Sequence, residues 1–272
     1  MSDATGRPPA GLDTSVANVA RMNDYYLGGK DNFAADRKAA EEVLALAPEV
    51  RTMAREGQAF MTRAVRYLLD EGVTQFVSLG VGLPTSSSIH HVAQALVPDA
   101  RVVYVSTDPV VLSHARALLA TNPATAVVEG DILHPRELLA DPELRRIIDL
   151  DRPVAILIAS ALQFIPDEDD PFKCVAVLRD ALPVGSGFAF GHVVFDRRPE
   201  VEDSIVGIYR RILGRDEGAG RTSKQVLRFF DGMKLVDPGF VYTRDWRPDN
   251  PLTVQGRDKT WSMVGIARKT EG

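Results

Sequence analysis

From residue 76 onward, short unbroken apolar runs alternate with amphipathic stretches, and this alternation restricts the available folds more than any other feature. The runs cover residues 76–79, 102–105, 126–128, 154–159 and 188–190. Runs this short and this continuous read as strands buried on both faces. Helical patterns lie between them at 86–97, 109–121, 136–148 (with a reset at Pro142) and 171–182. Such alternation implies right-handed βαβ units around a parallel sheet, so the expected fold class is α/β.

The two ends of the chain follow different patterns. Residues 1–13 carry Gly6, Pro8, Pro9 and Gly11 and little apolar content, as expected of a disordered lead-in. A helix is expected from Thr14, capped there or at Ser15, to about Gly28, and a second over 36–46. A third opens at Pro48 and leaves at Gly72, with Val50, Met53, Ala54, Phe60, Met61, Ala64, Val65, Leu68 and Leu69 at steps of three and four. Residues 14–72 thus read as a helical cap and 73–272 as the sheet domain, the two forming one unit. After residue 190 a helix is expected over 199–213, a polar loop over 215–221 and a short helix over 222–231. Strands near 240–243 and 261–267, joined without a helix, suggest an antiparallel pair at one sheet edge.

Composition narrows the partners. A net charge of -5 argues against a general binder of nucleic acid or anionic membrane and leaves a small molecule as the expected partner. Cys174 is the one cysteine, so neither an intrachain disulfide nor a thiolate metal cluster is available, and no metal is expected. No apolar run approaches the ~20 residues of a membrane span. With no signal-like pattern at the start, a cytoplasmic location is expected.

In an open parallel sheet, ligands bind beyond the carboxyl ends of the strands. After the first run stand Gly80 and Gly82, which permit a tight turn and close ligand approach; the same pattern also serves a plain strand-to-helix turn. Thr85 replaces the third glycine of a dinucleotide fingerprint, which disfavours NAD. After the second run, Asp108 is placed to accept from ribose hydroxyls, or to cap a helix that begins at Pro109. After the third come Gly130 and Asp131, an acid able to take an adenine amino group or simply to cap a loop. Gln163 follows the fourth run and His192 the fifth. Gln163, His192 and Tyr25 are the weak candidates for catalysis, with His192 open to a structural role. The acidic run 167–170 before Pro171 reads as a helix start. The cluster from Asn23 to Phe33 crowds tyrosines, glycines, Lys30 and Asn32 into one helix exit, read as a lid over the pocket or as a capped end with core aromatics.

The segments RMNDYYLGGKDNFAADRKAA, FVSLGVGLPT, VVYVSTDPVVLSHARALL, VVEGDILHP, LQFIPDEDDP and RFFDGMKLVDPG occur in this order over nearly the whole chain. Together they resemble the S-adenosyl methyltransferase family of bacterial proteins, formerly a domain of unknown function. The resemblance implies a Rossmann-like class I methyltransferase fold: a mostly parallel seven-stranded sheet with an antiparallel edge hairpin strand and an N-terminal helical cap. It implies S-adenosylmethionine as cofactor, S-adenosylhomocysteine as product, and methyl transfer to a small molecule. Carried over by position, Gly80, Gly82 and Leu83 border the methionine part, and Ser106, Thr107 and Asp108 the ribose. Gly130, Asp131 and Ile132 border the adenine, and Ser160, Ala161 and Gln163 form the floor. Tyr25, Gly28, Gly29, Lys30 and Asn32 come from the cap.

The sequence departs from the family pattern at three polar positions. Ser78 stands where the first strand usually carries an acid, Ser106 where the second does, and Gln163 where a histidine is usual. These departures raise two alternatives to methyl transfer: cofactor binding without turnover, and non-methyl chemistry promoted by the sulfonium charge.

Overall fold

The computed structural model describes residues 13–80, 82, 88–119, 122–214, 220–250 and 260–271. Ten α-helices and eight strands are ordered along these residues. Strands β1 (Gln75–Leu79), β2 (Arg101–Ser106), β3 (Thr125–Glu129), β4 (Ala155–Ile158) and β5 (Gly187–Val193) run parallel in the spatial order β3-β2-β1-β4-β5. Strand β8 (Ser262–Arg268) adds antiparallel to β5. The outer side of β8 is shared by two two-residue strands, β6 (Lys234–Leu235) and β7 (Val241–Tyr242). The sheet therefore has eight strands where seven are expected, because the last edge is built in two pieces. The expected antiparallel pairing of the two C-terminal strands is present as β7 with β8, but β8 is internal and only its partners form the edge.

The parallel strands divide their side chains by residue parity, as the pleat requires. Val77, Val103, Val105, Ile156, Ile158, Phe188 and Phe190 face one core with Leu138, Leu144, Ile147, Val175 and Leu178. These last come from α6 (Pro135–Ala140), α7 (Pro142–Ile147) and α8 (Pro171–Ala181), so Pro142 does divide the third helical segment. Phe76, Val102, Tyr104, Ala155, Leu157, Ala189 and Ile266 face the other core, against Phe60, Ala64 and Leu68 of α3 (Val50–Asp70) and Ala93 of α4 (Ile89–Leu96). Helix α5 (Pro109–Leu119) follows β2.

Helix α1 (Val19–Leu27) starts later than expected. Its cap is Asn18, whose side chain accepts from the N–H groups of Ala20 and Arg21, while Ser15 is engaged with Asp13 in a bend before it. Helix α2 (Ala34–Leu46) is tied to α1 by Asp36, which is fully buried. Its carboxylate accepts from the N–H of Asn18, the N–H of Phe33 and Nε of Arg21, the last at 2.9 Å. A buried carboxylate with this many donors is the arrangement that makes an interior charge tolerable. The two helices then pack on α9 (Glu202–Leu213), which follows β5: Met22, Tyr26, Ala40 and Val43 meet Ile208 in one cluster. A second cluster joins Ala47 and Met53 to Phe195, Ile205 and Trp261. Cap and α9 together roof the carboxyl ends of β1, β4 and β5. The segment after α9 continues with α10 (Ser223–Leu227).

Candidate functional site

One cavity of about 300 Å³ lies beneath this roof, at the lower end of the size range of small-molecule sites. Its sheet-side wall includes Ser78, Gly80, Gly82, Ser160, Gln163, Gly191 and His192. These come from β1, β4 and β5 and the turns after them, where an open α/β sheet places ligands.

The turn after β1 depends on glycine. Gly80 has φ +69°, a conformation that costs an L-residue roughly 1–2 kcal/mol. A Cβ there would fall well inside van der Waals contact of the Ala161 methyl. Ala161 belongs to a 3-10 turn, Ala161–Phe164, that follows β4. The two turns are therefore in contact only because residue 80 has no side chain. Gly191 plays a similar part on β5, where a Cβ would lie 2.6 Å from the Ala159 carbonyl oxygen.

The end of β2 is held by Ser106 and Asp108. The N–H of Asp108 donates to Ser106 Oγ at 3.1 Å. Asp108 Oδ1 then accepts from the N–H groups of Val110 and Val111, so the capping role holds. Its Oδ2 accepts from the Asn18 amide, which ties the start of the cap to the sheet. At the end of β3, Asp131 accepts from the N–H of Leu133 at 2.9 Å, and Ile132 is buried in the core. Gly130 lies against Leu138 and Val105, and Thr107 is exposed.

The helix exit after α1 is largely self-contained. Gly28 closes the helix with φ +82°. Asp24 accepts from the N–H of Asp31 and the Asn32 amide, and a Cβ on Gly29 would collide with that carboxylate. Burial raises the Asp24 pKa. Tyr25 turns away from the cavity, with its hydroxyl on Glu41 and its ring under Arg51. The side chains that α1 contributes to the cavity are Val19, Asn23, Tyr26 and Leu27. Of the cap residues carried over from the family, Tyr25, Gly28, Gly29, Lys30 and Asn32 lie outside its lining, and Leu83 lies outside the described residues. Helical phase explains the exchange of Tyr26 for Tyr25: adjacent residues point about 100° apart.

Arg221 is the residue that sequence reasoning missed. It is 1% exposed. Its guanidinium donates to the carbonyls of Leu162 and Ile165, to Asp167 Oδ1 through two nitrogens, and to His192 Nε2 at 3.2 Å. It also stands over the rings of Phe172 and Phe229. One side chain thus locks the turn after β4 to β5. Asp167 is drawn to this cation from a 3-10 turn, Asp167–Asp169, and Asp170 precedes α8 in a left-handed conformation without capping it. The run therefore leads into α8 at Pro171 as expected, and Asp167 within it also binds Arg221. No local signal marks Arg221, because all the hydrogen-bond partners of its side chain are about 30 to 60 residues away.

These bonds fix the state of His192. Its Nδ1 must carry a proton to donate to the Val193 carbonyl, so Nε2 accepts from Arg221. Burial pulls its pKa down to about 3. Both ring nitrogens are committed, so the ring is a wall and not a free base. Gln163 is fixed from the same strand, its Oε1 accepting from the N–H of Val193 at 3.2 Å. The ring of His192 is expected to show no NMR titration between pH 5 and 9. An unfolded histidine titrates near ~6.5, so on acidification the unfolded chain takes up this proton first. His192 should therefore withdraw about 2 kcal/mol of stability between pH 7 and pH 5. A titration step near pH 6 in the folded protein would show that the ring is not held in this way.

The family model for S-adenosyl methyltransferases matches residues 5–270. The chain belongs to the S-adenosyl methyltransferase family. A crystal structure of a DUF574-family protein from Streptomyces avermitilis MA-4680 is 36% identical, with a TM-score of 0.88, covering 94% of this chain and 99% of that one. A methyltransferase candidate from Thermobifida fusca YX is 41% identical, with a TM-score of 0.90, covering 97% and 99%. Human N-acetylserotonin methyltransferase, solved with its cofactor, is 16% identical at a TM-score of 0.50, covering 99% of this chain and 62% of that one, and shares the fold. No curated protein matches.

S-adenosylmethionine is the cofactor of this family, and the site fits it. The turn at Gly80 leaves backbone facing the cavity, and Gly82 has open space except for the Asn23 amide, 3.7 Å from where a Cβ would stand. Carboxylates stand after β2 and β3 as Asp108 and Asp131, but these two, with Ser106, Thr107, Gly130 and Ile132, lie outside the cavity lining. Ser78 and Gln163, two of the departures from the family pattern, both line the cavity, whereas Ser106 is buried behind Asp108. Among the described residues no helix is long and apolar enough to cross a membrane.

Proposed function

We propose that this protein transfers a methyl group from S-adenosylmethionine to a small-molecule acceptor bound under the α1–α3 and α9 roof. The observation that supports this most directly is the continuity of the cavity. It runs from the glycine turn after β1 to residues of the cap and of α9, including Tyr26, Met53 and Tyr209. The bound cofactor supplies an electrophilic methyl group, and the protein's task is to position the acceptor and exclude water.

On this reading, Gly80, Gly82, Ser160 and Gln163 hold the cofactor's amino-acid end. Asp108 takes the ribose once Asn18 releases its second oxygen, and Asp131 lies toward the adenine. The cap closes over the site through Asn18 and Asn23. His192 acts as a neutral wall.

Isothermal titration with S-adenosylmethionine and, separately, S-adenosylhomocysteine tests the reading. Micromolar binding of both is the expected result. No heat at several temperatures, together with no thermal shift, would remove it. Cofactor binding without turnover is the second reading, motivated by the commitment of both His192 nitrogens. A product heavier by one methyl group from any small acceptor would exclude it.

A further inference from the structure

The roof half of the cavity has a chemistry of its own, and its assignment rests on the reading that the sheet-side half holds S-adenosylmethionine. Helix α3 presents one stripe to it: Val50, Met53, Ala54, Gly57, Gln58 and Met61. Gly57 lies inside a 21-residue helix, where glycine costs about 1 kcal/mol relative to alanine. A Cβ built at Gly57 meets no atom within 4 Å. The packing of the described residues does not require glycine there; its effect is to leave a notch in the cavity wall.

The remaining roof wall is aromatic. Tyr26, Phe164, Phe195, Tyr209 and Trp261 all line the cavity. The Phe164 and Tyr209 rings are 5.0 Å apart, and the Tyr26 and Tyr209 hydroxyls are 3.2 Å apart. Burial raises the pKa of both tyrosines, that of Tyr209 to about 12, so both stay protonated. One hydroxyl proton bridges the pair and the other is left to donate to a ligand oxygen. Among the described lining residues there is no carboxylate, and Arg210 is the one Lys or Arg. The two lining histidines are poor bases. His192 is committed as above. His90 Nδ1 shares a hydrogen bond with the Tyr104 hydroxyl at 2.8 Å, and burial lowers the His90 pKa to about 4.

We infer that this chamber is the acceptor site and takes a flat aromatic compound of one or two rings bearing a phenolic hydroxyl. Its ring lies between the Gly57 notch and the aromatic wall, and its oxygen at the Tyr26–Tyr209 pair. A flat ring suits aromatic walls, which favour offset or edge-on ring contacts. The cavity volume, shared with the cofactor, excludes large acceptors. Without a carboxylate, an ammonium group gains no ion pair. Methyl transfer forms the O–CH3 bond as the S–CH3 bond breaks and leaves S-adenosylhomocysteine. With no carboxylate in the described lining, the phenolic proton passes to water, and a phenol releases it far more readily than an alcohol does.

The test is calorimetry of the full chain saturated with S-adenosylhomocysteine, titrated with 2-naphthol. Saturable binding is expected, with naphthalene about 3–10-fold weaker, the value of one hydrogen bond. Tyr209→Phe should weaken 2-naphthol by a similar factor and leave naphthalene unchanged. Gly57→Phe, which builds into open space, should abolish 2-naphthol binding and leave S-adenosylhomocysteine binding within about threefold. Gly57→Ala should bind 2-naphthol and unfold at higher denaturant.

The inference is overturned if 2-naphthol fails to bind the saturated wild type. It is equally overturned if 2-naphthylmethylamine binds more tightly than 2-naphthol, which would mark an aromatic cage for cations. Loss of S-adenosylhomocysteine together with 2-naphthol in Gly57→Phe would assign the chamber to the cofactor and overturn the acceptor site alone. Failure of the wild type to bind S-adenosylhomocysteine would count against the cofactor reading instead. The 2-naphthol series on the free protein would then still decide the chamber.

Discussion

Replacing Arg221 with alanine is expected to lower stability by about 2–4 kcal/mol in urea unfolding. The guanidinium is almost completely buried and satisfies two carbonyls, one carboxylate oxygen and one imidazole nitrogen. Truncation leaves the Ile165 carbonyl and the Nε2 of His192 without their donor, removes one of two donors to the Leu162 carbonyl, and opens a void beside Phe172 and Phe229. Asp167 is half exposed and can turn to water, so the largest part of the cost lies with the inner acceptors. Arg221→Lys keeps the charge but loses the fork, and should recover only part of the loss. Asp167→Asn should cost less than either, because the partner that remains buried keeps its other acceptors. A fall of under about 1 kcal/mol for Arg221→Ala would mean that the turn after β4 is held without it.

Gly80→Ala is expected to fold and to bind S-adenosylhomocysteine at least tenfold more weakly, a loss of about 1.4 kcal/mol or more. Two costs combine. The backbone at φ +69° disfavours a side chain, and the new methyl overlaps that of Ala161. Relief requires the turn after β1 or the turn after β4 to move, and Gly80 and Ser160 both line the cavity. The double variant Gly80→Ala with Ala161→Gly removes the overlap and leaves only the backbone cost. It should therefore recover a large part of the affinity, a coupling that a double-mutant cycle measures directly. If the second change restores nothing, the contact between the two turns does not shape the site.

Much of the fold was legible in the residues. The apolar runs became β1 to β5 because a continuous run of Val, Ile, Leu and Phe has no stable place except inside a covered sheet. Pro142 restarted a helix where its missing N–H made continuation costly. Gly72 and Gly214 ended helices in left-handed conformations, as their position after an apolar stripe suggests. Gly80 and Gly82 announced a turn that a ligand can approach. The two-residue strand β6 escaped notice, since two residues have no period to read, whereas β7 falls inside the strand expected near 240–243.

The line between sequence and tertiary structure falls between local order and the meeting of distant segments. The sequence determined which stretches are strands or helices, which face of each is apolar, and, through ordered motifs along nearly the whole chain, the family and its cofactor. Those signals act over a few residues, or are read as a pattern in order. The choice of Tyr26 over Tyr25, the commitment of Asp108 to Asn18, the neutral state of His192 and the burial of Arg221 were decided only on folding. So was the partnership of α3 with α9 around one cavity. Each depends on atoms tens of residues apart being brought within hydrogen-bond or van der Waals reach, and on the exclusion of water that makes a buried charge or an imidazole choose one state.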